Sequence, residues 1–211
     1  MDARRLAILD AMGVHAYVPR PLTAPGPDWD TLAATVRGCR LCGLCASRTQ
    51  TVFGTGDRRA RLMVIGEAPG AEEDRQGEPF VGRAGMLLNS MLKAAGFERG
   101  EVYIANALKC RPPNNRDPSS EEAELCLPYL RRQIELIGPD VILCVGRIAA
   151  QRLLGGDEAL ARMRGRIHQL DSIPVVVTYH PAYLLRAPGE KRKSWADLKL
   201  AMGVLGRGDR A

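Results

Sequence analysis

The alternation of short apolar runs with helical patterns is the feature that most constrains the fold of this chain. Four apolar runs are each six or seven residues long, and helix-like stretches separate them. A repeated strand–helix–strand order produces a parallel sheet with helices on both faces. We therefore predict an α/β fold with three layers, α/β/α, around a central four-stranded, mainly parallel sheet. The predicted strands span 61–66, 102–108, 140–146 and 174–180.

Predicted helices occupy the stretches before, between and after these strands. They span 28–38, 83–96, 118–137, 147–154 and 195–205. Ser119 or Ser120 supplies an N-cap for the third helix, and Gly96 is a stop signal for the second. With 211 residues, the chain has the length of one domain. We assign 28–211 to that domain and 1–27, which ends in a Pro-rich connector, to an N-terminal extension.

Polar residues follow three of the predicted strands at the point where each strand ends. Gly66 and Glu67 follow the first strand, Asn106 lies near the end of the second, and His180 ends the fourth. In parallel α/β sheets, ligands bind outside the carboxyl ends of the strands. The sequence therefore predicts that a carboxylate, an amide and an imidazole converge on one edge. The other two histidines lack such a context, and we interpret them as structural.

The glycine loop after the first strand, GEAPG, matches neither common phosphate-binding motif. It lacks the lysine of a P-loop and the spacing of a dinucleotide fingerprint, and its glutamate would repel a phosphate. Phe80, in the polar context GEPFVG, is either a ring that stacks on a planar ligand or a core residue. Asn106 either holds a loop in place or binds the edge of a ligand. Its amide has a donor beside an acceptor, which matches the edge of a pyrimidine.

The cysteines form the most specific pattern in the sequence. Four of them come from two segments, as a CxxC pair and a pair with fifteen residues between its members: Cys39 and Cys42, and Cys110 and Cys126. Four thiolates from two segments suit zinc or an iron–sulfur cluster. Cys45 extends the first pair to CxxCxxC and is an alternative ligand to Cys42. Cys144 lies inside a predicted strand and is interpreted as a core residue.

The charge of the chain is compatible with a polyanionic partner. The net charge is +6 and the pI is about 9.2, whereas only 5% of residues are aromatic, which argues against a broad base-stacking platform. The basic residues near the motifs are either a solvated face or phosphate contacts. They are Lys109, Arg111, Arg116, Arg186, Lys191, Arg192 and Lys193. We see neither a membrane-spanning run nor a signal peptide, and therefore expect a cytoplasmic protein with no membrane partner.

Taken together, these motifs resemble the family 4 uracil-DNA glycosylases, the iron–sulfur members of the uracil-DNA glycosylase superfamily. The resemblance runs from about 39 to 200, and it is carried by GEAPGAEED, GEPFVGRAG, NALKCRPPNNRDP, HPAYLLR and the spacing of the four cysteines. The resemblance implies a fold in which a small parallel sheet lies between helices. It also implies that the protein acts as a monomer on uracil-containing DNA, single- or double-stranded. The implied reaction is hydrolysis of the N-glycosidic bond of a flipped-out deoxyuridine, which leaves an abasic site.

The resemblance also implies a role for each matching position. Phe80 would stack on the extruded uracil, Asn106 would read its edge, and Glu73 would lie near C5, where a thymine methyl group would clash. Glu67 would lie near the deoxyribose and the water, and His180 beside uracil O2. The remaining matches are Gly66 and Ala68 for substrate binding, Leu184 for filling the gap in the duplex, and Cys39, Cys42, Cys110 and Cys126 for a structural 4Fe–4S cluster.

Two related branches and two other functions are the alternatives. Family 5 enzymes lack the acidic residue after the first glycine, so Glu67 disfavours that branch. A branch that links covalently to DNA through a histidine carries a basic insert that is missing here, and His168 in RGRIHQL lies elsewhere. The bulky Tyr183 departs from the family pattern and puts contacts to the DNA strand in question. The other functions are a non-catalytic iron–sulfur module that binds nucleic acid and a zinc-stabilised nucleotide hydrolase.

Overall fold

A computed structural model describes residues 28–206, so the predicted extension 1–27 lies outside the described residues. Its centre is a six-stranded sheet with the order β1–β3–β2–β4–β6–β5. The strands are β1 Thr55–Gly56, β2 Leu62–Gly66, β3 Tyr103–Asn106, β4 Val141–Val145, β5 Ile167–Leu170 and β6 Ile173–Thr178. The four inner strands pair in parallel, and the two edge strands are antiparallel to their neighbours.

The predicted α/β fold with a parallel centre is confirmed, but the predicted number of four strands was wrong. The four apolar runs form the inner strands, and β1 and β5 are additional. β1 is only two residues long. β5 has no residue that is fully buried, because it lies at the edge and joins β6 through a two-residue turn in which Asp171 has φ 53°. Neither strand therefore carries the apolar run by which the others were recognised.

The helices cover both faces of the sheet. They are α1 Trp29–Gly38, α2 Ala71–Gln76, α3 Arg83–Ala94, α4 Ser120–Ile137, α5 Arg147–Leu154, α6 Leu160–Met163, α7 Pro181–Arg186 and α8 Lys191–Val204. One core packs α4 and α5 on one face, and a second core packs α3 and α8 on the other. Successive residues of β2 alternate between them: Met63 and Ile65 enter the first core, Leu62 and Val64 the second.

Side-chain caps begin two of the longer helices, the predicted Ser119 among them, and a glycine ends one of these helices. Asp28 accepts a hydrogen bond from the Thr31 amide and begins α1, and Ser119 forms a reciprocal capping box with Glu122 at the start of α4. Gly138 ends α4 in the left-handed conformation at φ 58°. Among the described residues, no helix combines the length and the apolar character that crossing a membrane requires.

Two short helices beside the strand ends, α2 and α7, have six residues each and were not predicted. Each lies inside a glycine- or proline-containing motif and is too short to show helical periodicity. They determine where the candidate site residues lie, because α2 follows β2 and α7 follows β6.

Candidate active site and cysteine cavity

A cavity of about 460 Å³ lies at the carboxyl ends of β2, β3 and β6. We call it the base pocket. Six of the predicted site residues line it: Glu67, Ala68, Glu73, Phe80, Asn106 and His180. The expected convergence of a carboxylate, an amide and an imidazole on one sheet edge is therefore present in the structure. The sequence interpretation missed Asp117, which lines the pocket from the NNRDP loop.

Gly66 allows the two walls of the base pocket to approach each other. A methyl group at this position would overlap Asn106 Oδ1 and would lie 2.6 Å from Phe80 Cζ. Gly66 also pairs with Asn106 in the register of β2 and β3. A side chain at position 66 would therefore displace the amide and the aromatic ring together.

Phe80 is a core residue, as one of the two interpretations of its sequence context held, and it also forms a wall of the pocket; its stacking on a ligand stays a prediction. The residue is 6% exposed and packs in the α3/α8 core. Its ring lies 5.6 Å from the ring of His180, at 32° to it. Phe80 has a positive φ of 54°, and Arg99 donates to the carbonyl oxygens of Pro79 and Phe80. Such backbone strain persists only where neighbouring contacts maintain it, so the ring is held in place.

Asn106 carries an unsatisfied acceptor. The residue is 2% exposed, and its Oδ1 is buried without a hydrogen-bond partner. Buried side-chain oxygens of this kind nearly always have a partner, and each exception needs an explanation. The side chain lines the base pocket, so this oxygen lies where a donor on a ligand could reach it.

Glu67 lies in an environment that favours its protonated form. Burial, and secondarily the negative charge of Asp117, raise the pKa of Glu67 to about 7 against the opposing charges of Arg147 and Arg152. Asp117 itself forms an ion pair with Arg147 at 3.5 Å. The carboxyl group of Glu67 therefore titrates near neutral pH, in the range where a group can exchange protons during a reaction.

Glu73 connects two loops of the base pocket. Its Oε1 accepts hydrogen bonds from the amides of Val81 and Gly82, at 3.0 and 3.1 Å, and its Oε2 accepts from the amide of Gly70 at 3.1 Å. The carboxylate thereby ties the start of α2 to the loop that carries Phe80. Glu73 lines the pocket, and its hydrogen bonds hold the wall of the pocket together.

His180 is a neutral imidazole. Burial and, secondarily, the charge of Arg186 lower its pKa to about 4. His180 caps α7, where Nδ1 accepts a hydrogen bond from the Ala182 amide at 3.1 Å. In a neutral ring whose Nδ1 accepts, the proton is on Nε2. His180 is therefore a hydrogen-bond donor at neutral pH.

The structure places Leu184 away from the base pocket. This side chain is fully buried and lines a groove between α3, α7 and α8, together with Met91 and Trp195. Its neighbours Tyr183 and Leu185 are 38% and 37% exposed. The side chain predicted to fill a gap in the duplex thus packs in the interior, because α7, which was not predicted, directs position 184 towards α3.

Five cysteines line one concave site, which we call the cysteine cavity. They are Cys39, Cys42, Cys45, Cys110 and Cys126. Cys144 is buried in β4, as predicted. Among residues 28–206, no three His, Cys, Asp or Glu side chains are close enough together to hold one metal ion. The five thiols line one common site.

Hydrogen-bond donors of this chain contact three of the four predicted ligand sulfurs. Arg48 Nη1 donates to Cys110 Sγ at 2.9 Å, the Lys109 amide to Cys126 Sγ at 3.2 Å, and Tyr129 Oη to Cys39 Sγ at 3.4 Å. Donors of this kind stabilise negatively charged sulfur and tune iron–sulfur clusters. The donor set therefore fits a thiolate-bound cluster.

The prediction that Lys109 belongs to a basic surface was wrong. Lys109 is 1% exposed because it points into the interior between the base pocket and the cysteine cavity. Arg116 pairs with Glu122 at 2.6 Å, and Lys193 pairs with Glu190 at 2.8 Å. Arg186 is exposed and lines the base pocket.

The chain is similar to known proteins of one superfamily. Residues 53–199 match the model of the uracil DNA glycosylase superfamily. A type-4 uracil-DNA glycosylase from Archaeoglobus fulgidus is 43% identical over 178 residues, which cover 81% of this chain and 89% of that protein. The type-4 uracil-DNA glycosylases of Thermotoga maritima and Pyrobaculum aerophilum are 45% and 40% identical. Those matches cover 74% and 83% of this chain, and 83% and 94% of the relatives. The chain thus belongs to the type-4 branch of the uracil-DNA glycosylase superfamily.

Proposed function

We propose that this chain is a uracil-DNA glycosylase of base excision repair. It hydrolyses the N-glycosidic bond of a deoxyuridine flipped out of DNA and leaves an abasic site. The observation that carries the proposal is the unpartnered Oδ1 of Asn106, buried in a pocket whose wall is an aromatic ring. The type-4 relatives carry the same activity in their names.

Base recognition follows from the chemistry of the amide. Uracil presents an N–H donor at N3 beside a carbonyl acceptor at O4, and the side chain of Asn106 offers the complementary acceptor and donor. Cytosine has no N–H at N3, so in the amide orientation that reads uracil, Oδ1 of Asn106 would face an acceptor and stay unsatisfied. Phe80 stacks on the flat face of the base, and Glu73 lies near C5 and excludes the methyl group of thymine.

The remaining pocket residues act on the charges that develop as the bond breaks. Negative charge accumulates on uracil O2, where His180, as a neutral donor from Nε2, stabilises it without transferring a full proton. The sugar becomes positive, and the carboxylate of Glu67 either stabilises that cation or orients the attacking water. Both roles of Glu67 require its ionised form. Gly66 and Ala68 let the nucleotide approach the backbone at the end of β2.

The substrate is DNA, single- or double-stranded, and the chain acts on it as a cytoplasmic monomer. Extruding a base costs a few kcal/mol, least where the uracil is mismatched or unpaired. Arg186, exposed at the rim of the base pocket, is placed to contact a phosphate of the strand.

Cys39, Cys42, Cys110 and Cys126 are proposed to hold a structural 4Fe–4S cluster, with Cys45 as the additional thiol of the cavity. Such a cluster would cross-link three segments: the chain after α1, the loop after β3, and α4. Brown colour, broad visible absorbance and about four irons per chain after anaerobic purification are expected, whereas a colourless zinc protein would contradict this assignment.

A uracil-containing oligonucleotide tests the activity directly. The protein with its cluster intact is incubated with the labelled strand in excess enzyme, and abasic sites are then cleaved with alkali. We expect cleavage at the uracil and none in matched oligonucleotides that carry thymine or cytosine at that position. DNA binding without cleavage would contradict the proposal and favour the non-catalytic module.

A further inference from the structure

Lys109 is a fully buried cation that the proposed chemistry does not use. Its Nζ donates to the backbone oxygen of Asn106 at 2.9 Å and to Gln133 Oε1 at 2.6 Å. Its own backbone amide donates to Cys126 Sγ at 3.2 Å. One residue therefore contacts the base-reading asparagine through its side chain and a proposed cluster ligand through its backbone.

Neither acceptor of the Lys109 ammonium carries a charge. Within residues 28–206, no carboxylate forms an ion pair with it. The Lys109 side chain also lines the cysteine cavity, together with Cys110 and Cys126. A buried cation without a countercharge is strongly unfavourable, and thiolates that bind a cluster in this cavity would supply that countercharge.

We propose that Lys109 is a positioning residue that the negative charge of the thiolate-bound cluster holds in place, and that in turn fixes Asn106 beside the base pocket. This inference rests on the proposed function, in which Asn106 reads uracil and Cys110 and Cys126 bind the cluster. Through the side chain of Lys109, the cluster would affect how the base pocket recognises uracil.

The path between the two sites is short and hydrogen-bonded along its length. Residues 106–110, the bridge segment, run from Asn106 to Cys110. Within it, the amide of Ala107 donates to Gly66 O at 2.8 Å, and the amide of Leu108 donates to Glu67 O at 3.0 Å. The bridge segment thus contacts the backbone of Gly66 and Glu67 at the end of β2. A displacement of Lys109 would disturb Asn106 and the Glu67 loop together.

The far side of Lys109 is equally fixed. Gln133, fully buried in α4, accepts from Nζ through Oε1 and donates through Nε2 to Tyr103 Oη at 3.1 Å and to Phe53 O at 3.0 Å. Its amide is therefore oriented by two further contacts, and the ammonium has one defined position.

The test compares Lys109→Met with Lys93→Met, which removes an exposed lysine from α3. Both are purified with their clusters, and the midpoint potential of the cluster and the dissociation constant for free uracil are measured. Removing a nearby positive charge disfavours reduction, so we expect a more negative potential for Lys109→Met. We also expect uracil binding about tenfold weaker. Lys93→Met should match the wild type in both measurements.

Two results would overturn the proposal. An unchanged potential in Lys109→Met would show that the cluster is not the countercharge, and a shifted potential with unchanged uracil affinity would show that Lys109 does not position Asn106. If Lys109→Met fails to fold, Lys109→Gln decides, because it removes the positive charge with a smaller change in polarity. A more negative potential together with weaker uracil binding supports the proposal, and an unchanged potential or an unchanged uracil affinity contradicts it. A wild-type protein that neither binds uracil nor excises it would instead refute the proposed function, whatever the potentials are.

Discussion

The base pocket and the cysteine cavity lie at the two ends of the bridge segment, yet they are held together differently. In the base pocket the protein's own contacts fix the geometry: Glu73 ties two loops, and Gly66 lets the walls meet. In the cysteine cavity five thiols face one space, and three of them accept a single hydrogen bond from the protein.

This difference predicts different effects of substitutions at the two sites. A site that protein contacts hold together can lose a ligand-facing side chain and keep its fold, so substitutions there should change rate. A site that needs a bound group to bring its thiolates together should lose stability when a ligand is removed. The predictions below test this distinction, from the largest expected effect to the smallest.

Cys110→Ser should have the largest effect, because Cys110 is both a proposed ligand and the acceptor of the Arg48 hydrogen bond. We expect loss of the cluster, a fall in unfolding free energy of more than about 3 kcal/mol and no measurable excision. Iron content, visible absorbance and thermal melting measure these changes. Cys45→Ser is the matched control and should keep its iron, whereas iron loss in Cys45→Ser but not in Cys42→Ser would make Cys45 the ligand.

Asn106→Ala should reduce single-turnover excision of uracil by about 100- to 1000-fold, since it removes both hydrogen bonds to the base. Its melting temperature should stay near the wild-type value because Oδ1 has no partner to lose in the free protein. Excision rates and thermal melting, measured on the same preparation, test both parts. If Asn106→Ala were strongly destabilised but excised uracil at the normal rate, Asn106 would behave like a residue needed for stability, and the distinction between the two sites would fail.

Glu73→Ala should weaken excision by roughly tenfold to 100-fold, because three backbone amides lose their acceptor and the loop of Phe80 is released. Unlike Asn106→Ala, it should also lower the melting temperature. Glu72→Ala is the control: this exposed neighbour pairs only with Arg75 within the described residues, and its loss should cost little. Equal effects of the two substitutions would contradict the role of Glu73 in tying the two loops together.

The pH dependence should show the smallest effect. Since the pKa of Glu67 is raised to about 7 and its ionised form is required, excision should fall about tenfold for each pH unit below that value. His180, with its pKa lowered to about 4, stays neutral throughout this range and adds no second inflection. Asp117→Asn removes a negative charge near Glu67 and should move the profile to lower pH. An unchanged pH profile in Asp117→Asn would show that Asp117 does not influence the ionisation of Glu67.

The inner sheet and the residues at its carboxyl edge were predictable from the sequence. Fully buried parallel strands must be apolar along their whole length, so β2, β3, β4 and β6 are visible as runs. Their ends are then adjacent by topology, which is why Glu67, Asn106 and His180 could be placed together. The cysteine spacing limited the ligand types for a similar reason, because few side chains bind soft metals.

Other features depend on contacts between segments distant in sequence. Lys109 was predicted to belong to a basic surface, and Leu184 was expected to fill a gap in the duplex, because the sequence does not reveal which way a loop or a short helix faces. Asp117 and Arg99 were overlooked because their roles arise from proximity to Glu67 and to the backbone of Phe80.

The sequence alone therefore determined the fold class, the edge at which the site forms and the chemistry of the residues that meet there. Hydrophobic periodicity and motif spacing are local properties, and they carry that information directly. Only the tertiary structure decided that Asn106 has an unsatisfied oxygen, that Glu73 bonds three amides and that Lys109 lies between pocket and thiols. Burial and hydrogen-bond partners are properties of packed neighbours, and packing brings together residues that the chain keeps far apart.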